Sequence, residues 1–189
     1  MATAVLALQG AFAEHEARLA ELGEKTFELR SPENLARSFD RLVLPGGEST
    51  VQGRLLEELG MLGPLRERIV DGMPVLATCA GLILLAQRPA AHDDKGTPRL
   101  ATMDVTVERN AYGRQLGSFH AVAEVAGVGR DVPMTFIRAP RVVDAGPKAQ
   151  VLARVNGDAV AVRQGVQLGL AFHPELDQDL RLHQLFLSL

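Results

Sequence analysis

Short apolar runs alternating with segments of helical period constrain this chain more than any other feature. Thr3 to Leu8 (TAVLAL) is nearly continuous in apolar residues, which is how a strand covered on both faces reads; Arg41 to Leu44 (RLVL), Val75 to Thr78 and Gln167 to Phe172 have the same character. Between them, Phe12, Leu19 and Leu22 recur at helical spacing with Gly23 as a stop, Ser31-Pro32 opens a short helix after a strand at Lys25 to Leu29, and Ser49 to Leu59 ends at Gly60. Cys79 to Ala86 is a further helix. Strands alternating with helices predict a mostly parallel sheet with right-handed crossovers and helices on both faces, a flavodoxin-like three-layer sandwich. Ligands in such sheets sit beyond the carboxyl ends of the strands.

From about Thr97 the pattern changes. Met103 to Glu108, Phe119 to Val125, Met134 to Ile137 and Val151 to Val155 are strand-like with few helical intervals, and Asn156-Gly157 between two alternating runs is a hairpin signal. The second half is therefore expected to extend the sheet with antiparallel strands. Leu180 to Leu187 closes the chain as an amphipathic helix, and Arg88 to Pro98, rich in Pro, Ala and Asp, reads as a loop inside one α/β domain spanning 1–189. A chain of 189 residues buries roughly 70% of its unfolded surface without needing a disulfide or a metal.

Composition narrows the function classes. At 47% apolar and 23% charged residues the chain is ordinary globular protein, and a net charge of −3 without a dense Lys/Arg block speaks against holding nucleic acid. The run Met73 to Ala86 is too short to span a bilayer and is broken by Pro74, Thr78 and Gly81, so no membrane is expected as a partner. Met1 to Phe12 lacks the basic residues of a secretory signal and reads as the first buried strand. The single cysteine, Cys79, forms no intrachain disulfide and suits a reducing compartment, so a cytoplasmic location is expected.

Cys79 also stands where a strand turns into a helix, inside Ala77-Thr78-Cys79-Ala80-Gly81. Small neighbours permit a sharp turn and a helix N-terminus favours the thiolate, the layout of a nucleophile elbow; a small buried core cysteine is the bland alternative. His173 follows a buried strand, Pro174 biases it toward extended backbone, and Glu175 lies two residues on. An imidazole can take the thiol proton while a carboxylate on its other nitrogen fixes the tautomer. Pro45-Gly46-Gly47-Glu48-Ser49-Thr50 follows a strand and opens a helix, offering bare backbone N–H groups to an oxyanion, but it lacks the Gly-Lys-Ser/Thr end of a P-loop. His15, in Glu14-His15-Glu16, reads as part of a solvated helix face. His92, His120 and His183 have no metal-ligand spacing, so no metal is expected.

Together these pieces resemble the class I (triad) glutamine amidotransferases, and within them the glutaminase subunits of pyridoxal phosphate synthases, over the whole chain. The residues that carry the resemblance are Leu8-Gln9-Gly10-Ala11 with Glu14-His15, Pro45 to Thr50 (PGGEST), Thr78-Cys79-Ala80-Gly81, Arg109 to Gln115 (RNAYGRQ), Phe136 to Pro140 (FIRAP) and Phe172 to Glu175. The resemblance implies Cys79 as nucleophile with His173 and Glu175 completing the triad, glutamine contacts from Gly46, Gly47, Glu48, Arg109, Ile137 and Arg138, and oxyanion donors at the N–H groups of Gly47 and Ala80. It implies hydrolysis of L-glutamine to glutamate and ammonia, delivery of the ammonia to a separate (β/α)₈-barrel synthase subunit that makes pyridoxal 5'-phosphate (vitamin B6), and no cofactor on this chain. Two positions depart from the family pattern: Ala77 stands where the elbow usually opens with Gly, and Ala101 where Gly is expected. A glutaminase feeding another synthase, such as that of the histidine pathway, a Cys-dependent hydrolase of similar fold and a non-catalytic flavodoxin-like binding module are the competing readings.

Overall fold

A computed structural model of the chain describes residues 2–91, 96–109 and 118–189. Five parallel strands form one half of a ten-stranded sheet: β1 (Thr3–Leu6), β2 (Thr26–Leu29), β3 (Arg41–Leu44), β4 (Val75–Thr78) and β12 (Gln167–Leu170), in the order β2-β1-β3-β4-β12. All four residues of β1, β4 and β12 are buried, as their nearly continuous apolar runs predict, and the burial takes in the polar Thr3, Thr78 and Gln167.

The helices fall on opposite faces because of the strand order. The step β1–α1 (Phe12–Glu21)–β2 runs one way along the sheet, and the step β3–α2 (Ser49–Glu58)–α3 (Leu62–Val70)–β4 runs the other, so right-handed crossovers place α1 and α2 on different sides. α4 (Ala80–Leu85) packs beside α2, whereas α5 (Arg181–Leu187) meets α1 through His15 and His183. The strand order reverses between β1 and β3, which makes the loops after these strands the expected ligand crevice.

The antiparallel extension is present: β12 pairs with β11 (Asp158–Gln164), followed by β9 (Arg141–Ala145), β6 (Met103–Glu108) and β5 (Ala86–Pro89), with β10 (Gln150–Val155) also on β11. Only the outermost pair, β5 with β6, is parallel again. Asn156 and Gly157 join β10 to β11 with φ of 51° and 88°, the paired positive angles that a tight hairpin turn demands.

Three expectations need correction. β7 (Ser118–Val125) and β8 (Gly129–Ile137) do not extend the main sheet but form a separate antiparallel pair. The helix expected to include Ala86 stops at Leu85, and the expected loop at Arg88 begins as strand, because Arg88 and Pro89 belong to β5. There Arg88 donates to Thr106 and Asp104, which ties the strand to β6. The separate β7–β8 pair is anchored by aromatics: Phe119 stacks on Phe136 at 4.4 Å between centroids, and Phe136 meets Phe172 at 5.5 Å. These rings carry the hairpin to the segment just before His173.

Candidate active site

Cys79 sits between β4 and α4 with φ 48° and ψ −101°, left-handed backbone that a residue with a side chain adopts at a cost of about 1–3 kcal/mol. The surroundings hold it there. Its N–H donates to Leu170 O on β12 at 2.8 Å, and a Cβ added to Gly81 would lie 2.1 Å from Leu44 O, so α4 can approach β3 only with glycine at that place. Ala77, two residues before Cys79, lies fully buried in regular register with Gly169, and its methyl is accommodated inside the strand. The thiol is 7% exposed and its Sγ lies 3.9 Å from Ile137 O at the end of β8.

His173 enters from the end of β12. Its N–H donates to Thr135 O on β8 at 2.8 Å, and its Nδ1 bonds Glu175 Oε1 at 2.7 Å, which leaves Nε2 for Cys79. Glu175 lies in a 3-10 turn, Pro174–Leu176, and is 2% exposed. Burial alone would push the His173 imidazole down, but hydrogen bonds to Cys79 and Glu175 and their negative charge overcome it and raise its pKa to about 10. Burial likewise pushes Glu175 up, and the adjacent His15 and the His173 bond outweigh it, so the carboxyl stays below its usual range. Thiol, ring and carboxylate thus form one line from the cleft into the interior.

The cleft above them measures about 220 Å³ and is lined by Gly46, Gly47, Glu48, Arg109, Ile137 and Arg138 together with Cys79 and His173. The structure therefore brings together every residue expected to touch glutamine. Gly46 is required by contact: a Cβ there would lie 2.3 Å from His173 Cε1. The Gly46 carbonyl accepts from Ala11 N–H at 3.1 Å, and Gln9 Oε1 accepts from Glu48 N–H at 2.7 Å, so the loops after β1 and β3 are fastened to each other. Buried Gln52 on α2 donates to Gln9 O at 2.8 Å and to Pro45 O at 3.3 Å, a supporting role the sequence does not announce. Ala80 opens α4, whose first N–H groups have no acceptor within the helix.

Arg109 is engaged by the protein itself. Its guanidinium donates to Glu48 Oε1 and Thr50 Oγ1, both at 2.8 Å, so two of the expected glutamine contacts form an ion pair across the cleft wall. Arg138 is exposed at the cleft with φ 44°, a second strained residue beside Cys79. The rest of the RNAYGRQ run, Asn110 to Gln115, lies outside the described residues. Among the described residues, no group of three or more His, Cys, Asp or Glu has metal-site geometry. No helix among them is long and apolar enough to cross a membrane.

His15 corrects its sequence reading. It is fully buried, not solvated, because it falls on the inner stripe of α1 with Leu19, four residues on. Its Nδ1 is 3.1 Å from His183 Nε2, and its Nε2 is 3.1 Å from Thr78 Oγ1 and 3.3 Å from Glu175 Oε2. The i, i+3, i+7, i+10 spacing of Phe12, His15, Leu19 and Leu22 carries this signal, and the flanking Glu14 and Glu16 obscure it.

Comparison with known proteins agrees with this architecture. The profile of the SNO glutamine amidotransferase family matches residues 5–189. The pyridoxal 5'-phosphate synthase subunit PdxT of Desulfitobacterium hafniense (strain DSM 10664 / DCB-2) is 54% identical over 188 residues, covering 100% of this chain and 92% of that protein. That of Methanocorpusculum labreanum is 53% identical over 189 residues, covering 100% of this chain and 97% of that protein. A solved structure described as a glutamine amidotransferase superposes with a TM-score of 0.93 at 43% identity, covering 100% of this chain and 98% of that one.

Proposed function

We propose, from the premise that the chain belongs to the SNO glutamine amidotransferase family, that it is the glutaminase subunit of a pyridoxal 5'-phosphate synthase. The observation that carries the chemistry is the His173 ring suspended between Cys79 and Glu175 at the floor of the cleft. In this reading Cys79 Sγ, as thiolate, attacks the side-chain amide carbon of L-glutamine, and the carbonyl oxygen becomes an oxyanion. Donors of the Ala80 and Gly47 backbone stabilise it, each worth roughly 3–4 kcal/mol in such a site. Protonated His173 gives its Nε2 proton to the leaving ammonia as the C–N bond breaks, leaving a γ-glutamyl thioester. Water then attacks and gives one proton to His173, and collapse of the tetrahedral intermediate expels the Cys79 thiolate. The γ-carboxylic acid loses its proton to solvent as glutamate leaves, so the thiolate and protonated His173 are restored.

Glu175 keeps the Nδ1 proton in place throughout. The Glu48–Arg109 pair and Arg138 face the α-ammonium and α-carboxylate of the substrate and set its register. The ammonia passes to a (β/α)₈-barrel synthase subunit, and the reduced thiol that the reaction needs suits a cytoplasmic setting. Docking of that subunit completes the oxyanion site, since reorienting the Gly46–Gly47 peptide must break the Ala11–Gly46 bond and needs binding energy from elsewhere.

The test is ammonia and glutamate release from L-glutamine with and without the synthase barrel subunit. The reading expects stoichiometric release that rises at least tenfold on adding the barrel. Equal rates with and without it would contradict docking-dependent activation, and no release in either case would contradict the glutaminase reading.

A further inference from the structure

We propose that His15, locked in one tautomer by His183, is a positioning residue of the triad: it holds the second carboxylate oxygen of Glu175 while His173 holds the first. The inference rests on the catalytic reading above but stands on separate atoms. Glu175 Oε2 is buried and has no hydrogen-bond partner among the described residues, and His15 Nε2 stands 3.3 Å from it.

The tautomers can be told apart by following the donors. If His15 carries its proton on Nδ1, it donates to His183 Nε2, and the His183 proton must then sit on Nδ1, a buried atom without a partner among the described residues. His15 would also turn a lone pair toward a carboxylate oxygen. If instead His183 carries its proton on Nε2, it donates to His15 Nδ1, and the His15 proton sits on Nε2 between Thr78 Oγ1 and Glu175 Oε2. The His183 N–H then has His15 Nδ1 as acceptor, the His15 N–H has Thr78 Oγ1 with Glu175 Oε2 3.3 Å away, and the bare Nδ1 of His183 is left without a partner among the described residues. An unpaired buried donor beside a repelled carboxylate is the costlier arrangement, so the second tautomer prevails.

Both rings stay neutral, as this pattern requires. Burial lowers His15, with Glu175 and Glu14 pulling it up and His173 pushing it down. Burial and then His15 lower His183 to about 3, with Glu175 opposing and Arg18 adding. The line His183–His15–Glu175–His173–Cys79 thus runs from α5 through α1 to the elbow.

The single thiol makes the test direct, because iodoacetamide alkylation reports on Cys79 alone. His15→Leu is expected to slow alkylation at neutral pH and to lower kcat for glutamine by about ten- to a hundredfold with KM unchanged, the scale of a misplaced catalytic group. The acid limb of its alkylation profile should move to higher pH, since Glu175 loses a donor. His15→Gln, whose amide can still donate, should recover most of both, and His183→Phe should show a smaller loss in the same direction. Wild-type alkylation in His15→Leu, or His15→Gln as impaired as His15→Leu, would overturn the proposal. If the wild-type chain alkylates rapidly yet hydrolyses no glutamine even with the barrel subunit, the proposed function fails, while the alkylation comparison still decides the role of His15.

Discussion

Gly46→Ala isolates the geometry on which the chemistry depends. The backbone of Gly46 is not left-handed, so alanine is conformationally acceptable and the effect is steric. The new methyl would lie 2.3 Å from His173 Cε1, 2.9 Å from Nδ1 and 3.4 Å from Cys79 Cβ. Ordinary carbon contacts lie at about 3.5–4.0 Å, so the ring must retreat by more than about 1 Å. Retreat strains or breaks the 2.7 Å bond to Glu175, a charged hydrogen bond of about 1.5–3 kcal/mol, and moves Nε2 off the thiol. A displacement of 1 Å alone costs about a hundredfold in rate, so kcat should fall by roughly 10²–10³. Overpacking should cost about 1–3 kcal/mol of stability, a shift of several degrees in Tm that leaves the protein folded at assay temperature. Gly63→Ala is the control: apart from its chain neighbours and its own helix backbone, no described residue lies within 4 Å of the added Cβ, so activity should be unchanged, while the gain in helix propensity is opposed by the crowding of a Cβ that precedes Pro64. The measurements are glutamate release with the barrel subunit present and thermal unfolding by circular dichroism. Turnover by Gly46→Ala within threefold of wild type would refute the steric coupling of this loop to His173.

Other expectations concern the same site. Because the folded-state pKa of His173 is raised from about 6.5 to about 10, the stability of the charged pair is complete below about pH 6.5 and fades as pH rises through about 10. Activity should therefore persist into alkaline solution, and a pH–rate profile with its alkaline midpoint near 7 would contradict a protonated His173. Arg109→Ala and Arg138→Ala should each raise KM for glutamine roughly tenfold or more while sparing kcat, since each removes a charged contact and not a proton donor; a change confined to kcat in both would speak against a binding role. Glu175→Gln should lower kcat by about 10²–10⁴, less than loss of the nucleophile, as steady-state kinetics of the two variants would reveal.

The parallel half of the fold is legible in the sequence because its strands are mostly buried on both faces, and an apolar run as short as Leu42 to Leu44, bounded by a proline-glycine turn, suits a buried strand far better than a helix. The elbow and the His173 turn are legible for a related reason, since both stand at strand ends where small residues or proline restrict the backbone. Pairing partners are less visible. Ser118–Val125 alternates as a strand should, but alternation says which face is wet and not which sheet receives the strand, and the Phe119–Phe136–Phe172 stack that decides it joins residues far apart in sequence. Gly63 and Pro64 obscure α3 in the sequence, yet proline is harmless in the first turn, where its N–H would have no helical partner. The short strand Arg141–Ala145 offers too few residues to establish a period. His15 misleads in the sequence because the acidic flanks Glu14 and Glu16 suggest water, while the face it occupies is set by Leu19.

That glutamine is opened by Cys79 is tested most directly by quenching the reaction of the chain with L-glutamine and the barrel subunit in acid and measuring the intact mass and fragment masses. A γ-glutamyl group in thioester linkage to Cys79 is the predicted result, absent in Cys79→Ala, which should release no ammonia above background. A Cys79→Ala variant that hydrolyses glutamine at a near wild-type rate, or a glutamyl adduct on any other residue, would contradict it.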